Sequence, residues 1–229
     1  MKREQLPAFF DDLEAWSVEH GPCPATVRYG DHADQLVDLR SPEAVTQGPL
    51  VLVIHGGYWR ALVDRRSTSA LAAALAGEGW VTANVEYRRL GPGAWRPMLD
   101  DVLAARRALA QHRRAVVVGH SAGGHLGLWL AAQGAVDAVV GLGGVCDLVA
   151  GARDGLGEGA VQELLGGAAA DVPDAYAVAD PASRLPLGVP QILVHGRQDD
   201  RVPLAHGQRY AERALTAGDR CRVVEVDAG

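Results

Sequence analysis

The stretch that decides the fold covers residues 115–124 and reads AVVVGHSAGG. A short β-branched apolar run, typical of a buried strand, leads directly into a Gly-x-Ser-x-Gly pattern formed by Gly119, Ser121 and Gly123. A sharp strand-to-helix turn at this pattern lifts the serine hydroxyl above the sheet, and the small flanking residues let the strained backbone close. The backbone N–H of Ala122 falls at the start of the next helix, where it is free to bind a developing oxyanion. We therefore predict that Ser121 is a nucleophile and that Ala122 contributes to an oxyanion hole.

A phosphate or dinucleotide site is the other function of a Gly-rich turn between a strand and a helix, and the sequence argues against it. Residues 119–124 do not spell Gly-x-Gly-x-x-Gly, and no Gly-Lys-Ser or Gly-Lys-Thr occurs in the chain. We accordingly expect no cofactor at this turn.

From residue 50 onward, short apolar runs alternate with longer segments of helical character. The predicted strands are residues 50–54, 80–85, 115–118, 137–142, 191–194 and 221–226, and the predicted helices are residues 64–76, 96–112, 122–133 and 203–217. This alternation predicts a parallel sheet covered by helices on both faces. Residues 25–29 and 35–39 predict a hairpin at an antiparallel edge of that sheet, and residues 6–18 predict a short surface helix. The Gly- and Ala-rich residues 151–170 are a candidate for a mobile excursion or a lid.

A second Gly-containing loop follows the first predicted strand of this series, in the sequence VLVIHGGYW of residues 51–59. Glycine has no Cβ, so the backbone N–H groups of such a loop can approach a ligand closely. We predict that the amides of Gly57 and Tyr58 complete the oxyanion hole with Ala122. His55 is interpreted as a brace for the loop rather than a proton carrier. Tyr58 and Trp59 are predicted to wall the substrate pocket, with ordinary core packing as the alternative.

A third stretch, ILVHGRQDDRVP in residues 192–203, places an acid on a loop after a strand. A carboxylate there would orient a catalytic histidine and stabilise its imidazolium form. The spacing from His195 favours Asp199 for this role and leaves Asp200 as a turn or cap residue. Asp147, after the strand that follows the Gly-x-Ser-x-Gly turn, is interpreted as a helix cap rather than a second acid.

Together the three stretches resemble the α/β-hydrolase superfamily, most closely its esterase and kynurenine-formamidase-like branch, for which an HGGYW loop and a GHSAGGHL turn are typical. The resemblance covers roughly residues 48 to 229. It implies an α/β-hydrolase fold in one domain over residues 1–229, with a mostly parallel central sheet, an N-terminal antiparallel edge hairpin and helices on both faces. It also implies a serine hydrolase that cleaves small carboxylic esters through an acyl-enzyme on Ser121, without a cofactor or metal. An arylformamidase acting on N-formylkynurenine and a non-catalytic binding protein of the same fold are the alternatives.

The general base is the one expected part that the sequence does not supply in its usual place. In this family the base is a histidine on the loop after the last strand, and here that strand is followed only by Asp227, Ala228 and Gly229. None of the eight histidines occupies that loop, and His125 and His206 are the only substitutes that the sequence offers. We therefore expect that the chain is truncated just before the base histidine. In this form it should be nearly inactive, since loss of the triad histidine costs about 10⁶ in kcat in subtilisin.

Composition excludes several other classes of protein. The chain has 229 residues, of which 48% are hydrophobic and 22% charged, and its net charge of −6 with scattered basic residues argues against nucleic-acid binding. The basic N-terminal residues are not followed by an apolar core, so we do not expect a secretory signal. No apolar run is long enough to span a bilayer, so we expect no membrane partner. Its three cysteines have neither disulfide nor zinc spacing, which favours a cytoplasmic location and no metal. The expected partner is a small-molecule ester or amide, and the oligomeric state stays open, a homodimer included.

Overall fold

An eight-stranded sheet forms the centre of the protein, which we describe from a computed structural model covering residues 3–41 and 48–228. The strands are β1 (Ala25–Arg28), β2 (Leu36–Arg40), β3 (Leu50–Ile54), β4 (Thr82–Val85), β5 (Ala115–His120), β6 (Ala138–Leu142), β7 (Gln191–Gly196) and β8 (Cys221–Val226). Their order in the sheet is β1-β2-β4-β3-β5-β6-β7-β8. The strands from β3 to β8 are mutually parallel, whereas β1 pairs with β2, and β2 with β4, in antiparallel fashion. The predicted parallel sheet with an antiparallel edge hairpin is therefore confirmed.

Helices cover both faces of this sheet. They are α1 (Leu6–Glu19), α2 (Ser69–Gly77), α3 (Trp95–Ala108), α4 (Ala122–Ala132), α5 (Leu148–Arg153), α6 (Leu156–Leu165), α7 (Pro173–Ala179) and α8 (Leu204–Thr216). Successive side chains of a strand point to opposite faces, and β3 shows the result. Leu50, Leu52 and Ile54 join the large core that includes α3, α4 and α8, while Val51 and Val53 pack against α2 on the other face. Because β3 is apolar on both faces, it is buried over its whole length.

Two predicted helices differ from the observed ones at their ends. The segment predicted over residues 64–76 begins as a 3₁₀ turn, Arg65–Thr68, with the Asp64 carboxylate accepting a hydrogen bond from Arg66 N, and becomes α-helical at Ser69. The helix then ends near Gly79, which has a φ of +90°, a left-handed conformation that terminates helices and favours glycine. The segment predicted over residues 96–112 ends earlier, because α3 stops at Ala108.

Residues 151–170, a candidate for a mobile excursion, contain two packed helices. Part of α5 and all of α6 lie there, and the buried side chains include Leu156, Val161, Leu164 and Leu165. Near the start of α6 the backbone turns through the left-handed region at Gly157, Glu158 and Gly159, which puts a kink within this helix. Gly157 and Gly159 therefore permit a tight turn with positive φ values in this stretch.

Across residues 3–41 and 48–228, no helix combines the length and the apolar character that crossing a bilayer requires.

Candidate active site

Ser121 stands at the junction of β5 and α4 in a strained backbone conformation. Its φ of +51° and ψ of −113° lie outside the regions that non-glycine residues favour, and such strain persists only where the surroundings impose it. Here the Ser121 N–H donates to Leu142 O at 2.9 Å, and Ser121 O accepts from Gly124 N at 2.9 Å. The residue is half-buried, and its hydroxyl has no hydrogen-bond partner in the part of the chain that the structure describes. The hydroxyl is therefore not engaged by any other described residue.

Backbone segments pass so close to Gly119 and Gly123, on either side of Ser121, that these positions have no room for a Cβ. A Cβ on Gly119 would lie 2.2 Å from Gly123 O, and a Cβ on Gly123 would lie 2.0 Å from Ile54 O in β3. A Cβ on Gly56 would lie 3.0 Å from the Ser121 Cβ, so the loop after β3 packs directly against the serine. The two glycine-containing stretches of the sequence thus meet at one point.

Three backbone amides that we predicted for the oxyanion hole lie on the elements that meet there. Gly57 and Tyr58 both have positive φ values, +103° and +49°, which turn the loop after β3 sharply. Ala122 is the first residue of α4, where helical geometry provides no acceptor for its N–H. Among the described residues, none of these three amides donates a hydrogen bond. They have the free donors that an oxyanion would need.

Asp199 lies on the loop after β7 and lines the same cleft as Ser121. Its Oδ1 accepts hydrogen bonds from Arg201 N and Val202 N, both at 2.9 Å, which fix the carboxylate. Its Oδ2 has no hydrogen-bond donor among the described residues, and the nearest imidazole nitrogen, His195 Nε2, is 3.9 Å away. His195 Nε2 instead donates to Val202 O at 2.8 Å. Oδ2 therefore remains an open acceptor at the cleft.

The cleft at Ser121 has a volume of about 430 Å³ and is mostly apolar. One wall belongs to α1, whose Leu6, Phe9 and Phe10 face the space above Ser121. The sequence predicted α1 as a surface helix but gave no sign that it borders the site. The adjacent phenylalanines near its start are the only signal that pointed to an apolar face there.

The two aromatic residues of the HGGYW loop go to different places. Tyr58 lines the Ser121 cleft, and its hydroxyl donates to Arg201 O at 2.7 Å, which ties the loop after β3 to the loop of Asp199. Trp59 is 4% exposed, and its Nε1 donates to His125 Nδ1 at 3.2 Å. Trp59 does not line the Ser121 cleft but borders a smaller cavity of about 120 Å³ beside α6. The structure therefore brings Tyr58 to the serine and places Trp59 in the core.

The two substitute histidines are committed to structural hydrogen bonds. His125 Nδ1 accepts from Trp59, so its Nε2 carries the proton and donates to Ala179 O at 2.9 Å. His206 Nε2 accepts from Cys146 N at 3.0 Å. Burial lowers the pKa of both imidazoles to about 4. Neither residue lines the Ser121 cleft; among the eight histidines only His120 does.

His55 braces the loop, as predicted, through a buried ionic cluster that the sequence did not reveal. Its Nε2 lies 3.0 Å from Glu86 Oε1, its ring stacks on Tyr87 with centroids 4.4 Å apart, and Arg89 pairs with the same carboxylate. Burial alone would raise the pKa of Glu86, but the hydrogen bond with His55 and the charge of Arg89 lower it to about 2. The Glu86 Oε2 also accepts from Arg65 N at 3.0 Å. This cluster fixes the start of the loop after β3.

Asp147 caps α5, as predicted, because its Oδ1 accepts from Ala150 N at 2.7 Å. Its other oxygen pairs with Arg213. Both oxygens are therefore engaged away from Ser121.

A parallel sheet with a strained serine between a strand and a helix, and an acid on a later loop, defines an α/β hydrolase. The sequence model of the BD-FAE family matches residues 37–213, which is most of the chain. The protein belongs to the BD-FAE family.

Individual relatives and solved structures agree with this class. Esterase LipC of Mycobacterium tuberculosis is 28% identical over an alignment 233 residues long, which includes 86% of this chain and 56% of LipC. The chain thus spans little more than half the length of that relative. The hyperthermophilic esterase of the archaeon Pyrobaculum calidifontis has a TM-score of 0.76 at 20% identity, covering 98% of this chain and 82% of its own. The butyrate-bound esterase Est2 of Thermogutta terrifontis has a TM-score of 0.71 at 21% identity, covering 91% and 84%.

Proposed function

We propose that this protein is a serine hydrolase that cleaves small carboxylic esters through an acyl-enzyme on Ser121. One observation carries the proposal: a serine with a free hydroxyl, held at a positive φ, opens into a cleft that also contains the open acceptor of Asp199. A glycine-rich turn without catalytic purpose has no need for a strained serine at this position.

Each proposed role follows from the contacts around the cleft. The Ser121 Oγ attacks the ester carbonyl as an imidazole takes its proton, and a bond forms between Oγ and the carbonyl carbon. The amides of Gly57, Tyr58 and Ala122 stabilise the oxyanion, which collapses and expels the alcohol with that same proton. Water then repeats the sequence on the acyl-enzyme and releases the carboxylic acid. Removing one oxyanion donor typically costs about 3–4 kcal/mol of transition-state stabilisation.

The imidazole itself is assigned to a histidine beyond Gly229, and this stays a prediction. Two features support it. Oδ2 of Asp199 can accept an N–H, and the chain after β8 runs beside the Asp199 loop, where Gln198 N donates to Ala228 O at 3.0 Å. A residue a short distance beyond Ala228 would therefore lie within reach of the carboxylate.

The apolar wall of α1 supports a short acyl group as the part of the substrate that enters the cleft. Leu6, Phe9 and Phe10 provide hydrocarbon surface, while a volume of about 430 Å³ limits the size of the ligand. The name of LipC supports an ester substrate, and the butyrate bound to the Thermogutta terrifontis esterase supports a short acyl group.

Chemical rescue with free imidazole tests the proposal on the 229-residue chain. We expect hydrolysis of p-nitrophenyl butyrate to increase and saturate as imidazole is added, because imidazole fills the place between Ser121 and Asp199. The rescue should be absent in Ser121→Ala, which also measures the uncatalysed reaction with imidazole, and weakened in Asp199→Asn. Equal rates in wild type and Ser121→Ala at every imidazole concentration would refute the proposal and favour a binding protein of this fold.

Two further assays test His120 as the general base and arylformamidase as the alternative activity. If a fluorophosphonate labels the protein without added imidazole and His120→Gln abolishes that labelling, the base is His120 instead. The arylformamidase alternative stays a prediction, and initial rates on N-formylkynurenine beside p-nitrophenyl butyrate measure it directly.

A further inference from the structure

Arg201 is the one arginine or lysine among the described residues that line the Ser121 cleft. Its side chain is exposed, and its guanidinium has no hydrogen bond or ion pair within the described part of the chain. Arginine presents a planar fork of donors that matches a carboxylate in a bidentate fashion. The cleft therefore contains a cation whose pairing capacity the protein leaves unused.

The backbone of Arg201 is fixed relative to the reactive groups. Its N–H donates to Asp199 Oδ1 at 2.9 Å, and its carbonyl accepts from the Tyr58 hydroxyl at 2.7 Å. The Cα is thus held between the loop after β7, which carries Asp199, and the loop after β3, which carries Tyr58. Only the side-chain rotamers of Arg201 remain to be ordered when a ligand binds. This limits the entropy cost of pairing to that of one side chain.

The other charges nearby direct an anion to the Ser121 side of Arg201. Arg60, which lies near Tyr58, is already paired with Glu163, with its Nε 2.9 Å from the carboxylate. A neighbouring cavity of about 330 Å³ is also bordered by Arg201, and it carries three carboxylates that the Ser121 cleft does not contain. These are Asp154, Glu158 and Asp200. Asp154 is already paired with Arg153 and Arg209, so two carboxylates, Glu158 and Asp200, remain there against the single carboxylate of the Ser121 cleft, Asp199. An anionic ligand is therefore repelled less at the Ser121 cleft than in the neighbouring cavity.

We propose that Arg201 recognises a carboxylate on the substrate, so that the site prefers acid-bearing esters or amides to neutral ones of the same size. This inference rests on the proposed function, because it assigns the substrate class of the same Ser121 site. Half-esters of short dicarboxylic acids fit the description, since their hydrocarbon part can pack on α1 while their free acid reaches Arg201. Esters of acid-bearing alcohols fit it equally, and the experiment distinguishes the two.

The test compares esters that differ in one carboxylate, with every rate measured at a saturating imidazole concentration, because the 229-residue chain is expected to be nearly inactive without it. The first pair is p-nitrophenyl hydrogen adipate and p-nitrophenyl hexanoate, with the charge on the acyl side. The second is 4-carboxyphenyl butyrate and phenyl butyrate, with the charge on the leaving group, each corrected for its alkaline hydrolysis rate. We expect Arg201→Gln to lower the acid-to-neutral ratio of kcat/KM about tenfold in one of the pairs, and Arg201→Lys to lower it less, since lysine keeps the charge without the fork.

Ionic strength and a second arginine provide the controls. Because the contact is exposed, the wild-type ratio should fall as salt is raised from about 0.01 M to about 1 M, over which the Debye length shrinks from about 30 Å to about 3 Å. Arg184 is an exposed arginine on the connection that leads to the amino end of β7, away from the cleft. Arg184→Gln should leave both ratios unchanged.

A binding measurement separates failure of this inference from failure of the proposed function. The Ser121→Ala protein is titrated with adipic acid mono-p-nitroanilide and with hexanoic p-nitroanilide by calorimetry. If the acid binds more tightly than the neutral anilide, and Ser121→Ala/Arg201→Gln removes this difference, carboxylate recognition is supported even if the wild type hydrolyses none of the esters. Ser121-dependent hydrolysis with ratios that Arg201→Gln leaves within about twofold in both pairs overturns it.

Discussion

Replacing Gly123 with alanine should destabilise the protein by about 3 kcal/mol through a clash that neither partner can relieve alone. The new Cβ would lie 2.0 Å from Ile54 O and 2.8 Å from His55 O, whereas ordinary contacts begin near 3.4 Å. α4 or β3 would have to move by about 1.4 Å, the difference between 3.4 Å and 2.0 Å. β3 is paired on both sides, with β4 and β5, so it cannot shift without its neighbours. Overpacking typically costs about 1–3 kcal/mol, and this rigid site belongs at the upper end of that range.

The measurement is thermal and urea unfolding followed by circular dichroism. For a protein of this length, about 3 kcal/mol corresponds to a fall in Tm of roughly 6–12 °C. Gly77→Ala is the matched control, because that glycine is exposed at the end of α2, and an added Cβ would meet nothing within 4 Å outside its own helix backbone. It should raise stability by about 0.4–1 kcal/mol, since alanine lowers the entropy of the unfolded chain. A Gly123→Ala protein that melts within about 2 °C of wild type would show that the turn does not pack as described.

Three further predictions concern the cleft and the buried imidazoles. Phe9→Ala removes part of the apolar wall, so the kcat/KM ratio of p-nitrophenyl octanoate to butyrate should rise about fivefold; an unchanged chain-length profile would exclude α1 from the acyl site. Tyr58→Phe deletes the hydrogen bond between the loop after β3 and the loop of Asp199. It should lower the free energy of urea unfolding by about 1 kcal/mol and lower kcat for Ser121-dependent substrates, whereas full stability and full kcat would mean that this bond does not hold the loops. Burial lowers the pKa of His125 and His206 from 6.5 to about 4, so the unfolded chain binds more protons between these values and stability is lost as the pH falls through that window. The loss should approach about 3 kcal/mol per histidine near the lower pKa, and His206→Gln should flatten the slope of the unfolding free energy against pH; an identical slope would contradict the assignment.

The fold was predictable from the sequence because its strongest signals are local. Apolar runs such as residues 50–54 and 115–118 coincide with strand β3 and with most of strand β5, since continuous apolar character has few alternatives in a chain with helices between the runs. The signal for the turn at Ser121 is also local, because the tight backbone approach that this turn needs requires the adjacent glycines.

What the sequence did not predict depends on contacts between distant segments. Asp101 looks in the sequence like an acid that favours the start of its helix, but it is buried, and its carboxylate accepts from Arg88 and from Gln35. Helical spacing shows which face of α1 is apolar but not what that face covers, so the wall of the cleft was missed. Trp59 was predicted to wall the pocket together with Tyr58, but its ring is buried and its Nε1 donates to His125, while its contact with the Tyr58 ring is edge-on, with centroids 6.4 Å apart.

The position of α1 has a consequence for engineering. The helix precedes the region matched by the family and packs against α2, held also by the Asp11–Arg66 ion pair and by hydrogen bonds from Arg40 to Ser17. It also contributes surface to the cleft without carrying any of the proposed reacting groups. Libraries that randomise only the cleft-facing positions of this one segment would therefore explore new acyl preferences while the chemistry stays constant. Selectivity and turnover could then be optimised in separate rounds, on separate parts of the chain.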